Sequence, residues 1–184
     1  MTKTILLAAV IVSAASGAAQ AGGQAKSLGV GAEFGLNGET GGVSLNYDAG
    51  MYHFGGFLGF KDGFDGNDNS SNDTSVTLGG RFYWHVHRTA MSDFGIGGAL
   101  GWFSAPGSVA LNGTVGPRIN RMYLEPGFQI RLFVAANVAL SFSAGISLGF
   151  VDANGLSLGS PSVANPETGF GLVSGAAGVH YYFF

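Results

Sequence analysis

Cysteine is absent from the 184-residue sequence. That removes disulfide scaffolds, thiol catalysis and cysteine-based zinc sites together. Charge is nearly as scarce, at 10% of residues, where a soluble domain carries about a quarter. No segment of 18 consecutive apolar residues occurs, so no helix of the usual membrane-spanning kind is encoded. There is no Gly-X-Y period either, which excludes a collagen-like chain. What is abundant is glycine, 33 residues, together with a 46% hydrophobic and 12% aromatic content that argues against disorder.

The first 21 residues form an address. Lys3 gives a positive start, Ile5 to Val12 is a short apolar stretch, and Ala19-Gln20-Ala21 is an A-x-A cleavage pattern. The apolar run is well short of the ~20 residues of a membrane span, so residues 1–21 read as a secretory signal peptide. Residues 22–184 then form one domain. Without Lys3 it holds seven basic side chains against eleven acidic ones, and no basic patch suggests nucleic acid as a partner.

An exported, apolar chain without a spanning helix needs another way to be apolar, and period-2 strands supply it. Leu28, Val30, Ala32, Phe34 and Leu36 alternate with Gly29, Gly31, Glu33, Gly35 and Asn37. Side chains of a strand point to alternate faces, so this is one two-faced strand. Seven more follow, with apolar faces at Val43–Tyr47, Tyr52–Phe60, Val76–Val86, Phe94–Trp102, Met122–Leu132, Val138–Phe150 and Val173–Phe183. Pro126 interrupts the sixth, where a bulge or kink is expected because proline removes a ladder donor. In the last, Val179, Tyr181 and Phe183 share the apolar face, opposite His180 and Tyr182. Several segments are long enough for the ~9–11 residues of a tilted membrane strand.

The fold class expected is all-β, an eight-stranded antiparallel up-and-down transmembrane β-barrel. The polar face is mostly Gly, Ser, Ala and Thr, a poor surface for water but suited to the narrow inside of an eight-stranded barrel. Phe34, Tyr47, Tyr52, Phe60, Trp84, Phe94, Trp102, Phe150 and Phe183 fall near segment ends, as interfacial girdles require. Connections at Asp48–Met51, His87–Ser92 and Val134–Asn137 are short, while those at Asp62–Asp73, Ser104–Arg118 and Val151–Glu167 are long. The first connection on the long side, Asn37–Gly41, is itself short. Barrels of bacterial outer membranes have this asymmetry, with short periplasmic turns.

With its signal peptide, eight strands and the ending His180-Tyr181-Tyr182-Phe183-Phe184, the chain resembles the small outer-membrane barrels of the OmpX and OmpA-barrel type. The resemblance spans nearly all of residues 22–184. It implies a location in a Gram-negative outer membrane, outer-membrane lipid and lipopolysaccharide as surroundings, and a monomeric state. It also implies that Phe184 is the signal read by the barrel assembly machinery. Some relatives of that type deacylate lipid A through a His-x-Ser motif, which none of the four histidines here forms.

The inward charges are Glu33, Asp48, Lys61, Arg81, Asp93, Arg121, Glu125 and Arg131. Buried charge must be paired, so Glu33, Arg81, Arg121, Glu125 and Arg131 are expected to form a lumen ion network, with Arg121, Glu125 and the neighbouring-strand Arg81 as the members to test first. His85 and His87 lack further ligands for a metal, and no cofactor is implied. Asp62, Asp65, Asp68 and Asp73 crowd one external loop and could hold a cation weakly. Read as an EF-hand from Asp65, however, that loop has Ser70 for the glycine and Val76 for the glutamate. The functional expectation is a non-enzymatic barrel with a structural or surface-interaction role through its external loops and a closed lumen. Next comes a narrow channel or binding barrel for small, apolar molecules, and third a lipid A-modifying enzyme.

Overall fold

The computed structural model describes residues 25–35, 41–61, 74–106, 116–150, 157–158 and 173–183. The strands are β1 (Ser27–Gly35), β2 (Gly41–Asp48), β3 (Tyr52–Lys61), β4 (Ser75–Arg88), β5 (Ser92–Ala105), β6 (Ile119–Ala135), β7 (Val138–Ile146), β8 (Leu148–Phe150), β9 (Ser157–Leu158) and β10 (Val173–Phe183). Each of β1 to β6 pairs antiparallel with the next, β7 pairs with β10, and β10 returns to β1. Eight strands thus close into an antiparallel up-and-down barrel. The short β8 continues the line of β7 along β6, and β9 pairs with β8. No helix among the described residues is long and apolar enough to cross a membrane.

The alternation read from the sequence sorts the two faces. Outward-pointing Val30, Leu45, Phe54, Leu78, Leu100, Phe128, Phe142 and Val179 are exposed, in an unbroken apolar surface around the barrel. Inward-pointing Ser44, Asn46, His53, Gln129, Ser141, His180 and Tyr182 are buried. This is a globular protein turned inside out: polar centre, apolar skin. Exposed aromatics stand at the two ends, Tyr47, Tyr52, Trp84, Tyr181 and Phe183 by the short turns and Phe34, Phe60 and Trp102 by the long connections, while Phe54, Phe82, Phe128 and Phe142 lie between them. Phe94 and Phe150, also expected in these girdles, are half-buried.

Two local expectations need correction. Pro126 causes no register shift: Leu124 faces Leu148 and Gly127 faces Gly145, so the same number of residues separates both pairs on each strand. What the missing donor produces is a gap in the ladder there, which separates β7 from β8 at Ser147. The bulges lie elsewhere, between His85 and His87 against β5 and between Phe133 and Ala135 against β7. Because the first inserts Val86, His85 is buried while His87 is exposed, although the two are two residues apart. Lys61, read as inward, is exposed at the end of β3. Strand ends leave the constraint of the wall, so its ammonium reaches water instead.

The turn end is stitched tightly. Gly50 has φ +94°, a left-handed conformation that suits glycine, and its N–H donates to Asp48 Oδ1 at 2.8 Å. The backbone N–H of His85 donates to Met51 O, and that of Phe133 to Met91 O, both at 2.8 Å. These bonds carry the ladder into the turns.

Inward glycines on β1 make room for large rings on β10. A Cβ on Gly29 would stand 2.7 Å from the Tyr182 ring, and one on Gly31 would overlap the Val179 carbonyl and the His180 ring. Gly31→Val is therefore expected to destabilise the barrel by about 1–3 kcal/mol, as overpacking does. Urea unfolding followed by gel mobility checks this, and an unchanged midpoint would refute the packing argument.

Candidate functional site

The lumen holds the chemistry-bearing side chains, in two layers. The first lies at the turn end. Arg131, on the inward face of β6, is fully buried, as are Asp48 at the end of β2 and Asp93 at the start of β5. The guanidinium donates from Nε to Asp93 Oδ1 at 2.9 Å, from Nη2 to Asp93 Oδ2 at 2.7 Å and to Asp48 Oδ2 at 2.6 Å, and from Nη1 to the Tyr182 hydroxyl at 2.9 Å. One cation thus bridges two carboxylates from different strands. Bidentate geometry of this kind suits arginine's planar fork. Arg88 adds a partly exposed charge 3.9 Å from Asp48.

Two histidines complete this layer. His85 Nδ1 donates to the Gly50 carbonyl at 2.8 Å, which assigns its proton, since a carbonyl only accepts. His85 Nε2 is then an acceptor, 3.0 Å from Arg131 Nη2 and 2.7 Å from His53 Nδ1. His53 therefore donates through Nδ1, and its Nε2 has no hydrogen-bond partner among the described residues. Asp48, His85 and Asp93 also bring potential metal-ligand atoms within 4.8 Å of one another. Arg131 Nη2 lies within hydrogen-bond distance of all three, so the guanidinium already stands where a cation would.

The second layer sits nearer the middle. Arg81 Nη2 on β4 donates to Glu33 Oε2 on β1, and the guanidinium lies over the Phe57 ring at 4.9 Å. His180 Nε2 on β10 is 3.0 Å from Glu33 Oε1 and shares a 2.6 Å hydrogen bond with the Ser44 hydroxyl. Ser, His and Glu side chains therefore meet, but Ser44 and Glu33 address the same ring nitrogen. A hydrolytic triad uses one nitrogen for the nucleophile and the other for the carboxylate. The Ser141 hydroxyl, 3.4 Å from His180 Nδ1, has that connectivity, yet Ser141 and His180 are both buried from any substrate.

Of the residues expected in the lumen network, Glu33 and Arg81 are brought together. Arg131 is in a different layer, on Asp48 and Asp93, inward charges whose pairing the sequence did not show. Arg121 is half-buried and faces Phe103 in the β5–β6 register. Glu125 is half-buried beside Ser174 and borders a cavity of about 130 Å³ on the loop side of Arg81. The expected cation loop, Asp62, Asp65, Asp68 and Asp73, lies outside the described residues, as do Phe184 and residues 1–24. His53, His85 and His180 were not expected in the site; their inward phase was the available signal.

No family model matches the chain, and no curated protein matches it in sequence. Among solved structures, the N-terminal β-barrel domain of Pseudomonas aeruginosa OprF aligns over 86% of this chain and 98% of its own. The TM-score is 0.56 and the identity 10%. At that identity the likeness is one of fold.

Removing one partner of a buried ion pair costs about 3–5 kcal/mol, because the other charge is left uncompensated. Arg131→Ala is expected to lose that much stability, and Arg131→Met combined with Asp48→Asn and Asp93→Asn to recover most of it. Equilibrium unfolding of the refolded variants decides. A triple variant no better than the single one would show that Arg131 matters for its packing alone.

Proposed function

We propose that this chain is a monomeric outer-membrane β-barrel with a structural or surface-interaction role, exerted through its external loops, and that it is not an enzyme. The observation that carries this reading is the inverted distribution of side chains, an apolar skin bounded by aromatics around a buried ionic centre. In water such a skin would aggregate; against acyl chains it is stable, and closure leaves no strand edge unsatisfied in lipid. The likeness to the OprF barrel supports the same reading. In this orientation the short turns and both termini are periplasmic and the long connections external. Residues 1–21 serve as the export signal, and Phe184 engages the assembly machinery. Lipid and lipopolysaccharide are the partners of the outward face.

Within this reading the two layers close the lumen to ions. Arg131 with two carboxylates and Tyr182 fills the turn end, and Arg81 with Glu33 and His180 fills the middle. The loop-side cavity favours a second reading, a binding barrel for small molecules. Lipid A modification has less support, since the His180 constellation is buried in the lumen.

Three measurements test the proposal. The mature protein is expected to stay folded and monodisperse only with detergent or lipid; a stable monomer in plain buffer would overturn it. Leu100→Arg, in the middle of the outward face, is expected to cost about 2–4 kcal/mol in bilayers. Planar-bilayer recordings are expected to show no sustained conductance; steady current abolished by Arg121→Ala or Glu125→Ala would overturn the closed lumen.

A further inference from the structure

The loop-side cavity differs in character from the two packed layers beneath it. At about 130 Å³ it has room for about four water molecules. Four rings line it, Phe57, Phe103, Tyr83 and Tyr123, and three charges, Glu33, Arg81 and Glu125. Glu33 is bonded to Arg81 through Oε2, while its Oε1 lies 3.0 Å from His180 Nε2 but makes no hydrogen bond among the described residues. Arg81 is bonded to Glu33 through Nη2 and stacked on Phe57, with its Nε left without a hydrogen-bond partner among the described residues. Glu125 enters from β6, with the Ser174 hydroxyl in reach and the Arg81 charge acting on it from a distance. The lining therefore has one carboxylate more than it has guanidinium groups.

Each class of occupant meets this lining differently. An anion would face Glu33 and Glu125. A purely apolar molecule would strip water from Glu125 without replacing it. A hard metal ion wants six or more oxygens, and much of the wall is aromatic. A compact organic cation satisfies both features: its charge pairs with Glu125, and its alkyl surface meets ring faces whose quadrupoles attract positive charge. We propose that the loop-side cavity binds a small organic cation, an alkylated ammonium, with Glu125 as its counter-ion and the four rings as its walls. The inference rests on the binding-barrel reading and not on where the barrel resides.

The test uses the mature protein refolded in detergent micelles, with amide NMR shifts of the lining residues Gly35, Gly42 and Gly59 as the readout. Three probes are titrated: choline chloride, its uncharged isostere 3,3-dimethylbutan-1-ol, and sodium acetate. Choline is expected to give saturable shifts and to bind about tenfold or more tightly than the isostere, a difference of about 1.4 kcal/mol. Glu125→Gln is expected to bring choline to the level of the isostere while heat-dependent gel mobility stays that of a folded barrel. Should that variant not fold, the wild-type comparison decides, together with Phe103→Leu, which removes a ring and is expected to weaken choline selectively. Equal binding of choline and isostere, a preference for acetate, or no saturable shift in a folded barrel would each overturn the inference. The anchoring role would survive all three outcomes.

Discussion

Closure of the sheet between β1 and β10 is the constraint on which the rest depends. Eight residue pairs, from Leu28 opposite Phe183 to Gly35 opposite Ala176, turn an open sheet with two exposed edges into a wall without any. A wall of eight strands encloses a space that side chains can fill. The inward face must then be small where neighbours are large, which is why Gly29 and Gly31 stand against Tyr182 and His180. It must also pair the charges it buries most deeply, because little water reaches them. The glycine content, the scarcity of charge and the pairing of Arg131 and Arg81 are consequences of one geometry.

The two ends of the lumen answer that constraint differently. At the turn end, Arg131 uses all three guanidinium nitrogens, and His85 ties the layer to the Gly50 carbonyl. Side chains and turns there form one connected network, which suits a permanent plug. On the loop side the wall is lined by rings and small residues, and space remains above Arg81. The turn end is thus filled by paired side chains, while the loop-side end keeps space.

Much of this was legible in the chain because a strand's period of two needs no tertiary information. The outward phase of Val179, Tyr181 and Phe183, the burial of Glu33, Arg81 and Arg131, and the eight-strand count follow from alternation. The errors share a cause, which is that alternation fails where the wall is irregular or ends. Val86 is inserted between His85 and His87, so one points in and the other out. Pro126 leaves a ladder gap where a bulge or kink was expected, and Lys61 escapes to water at a strand end. Partners were harder to read than faces. Glu33 and Arg81 lie on strands three apart in the barrel, and Asp48 meets Arg131 across the lumen. Which inward residues come level depends on strand stagger and tilt.

The sequence by itself determined the class of the protein: an all-β chain whose strands carry one apolar face and one small, polar face. Hydrophobic periodicity is a local property, and transfer energies act on it residue by residue. Only the tertiary structure decided which charges neutralise which, that a guanidinium rather than a metal sits among Asp48, His85 and Asp93, and that a cavity remains beside Glu125. Those outcomes depend on distances across a closed ring, set by the register of all eight strands at once and encoded in no single stretch of chain.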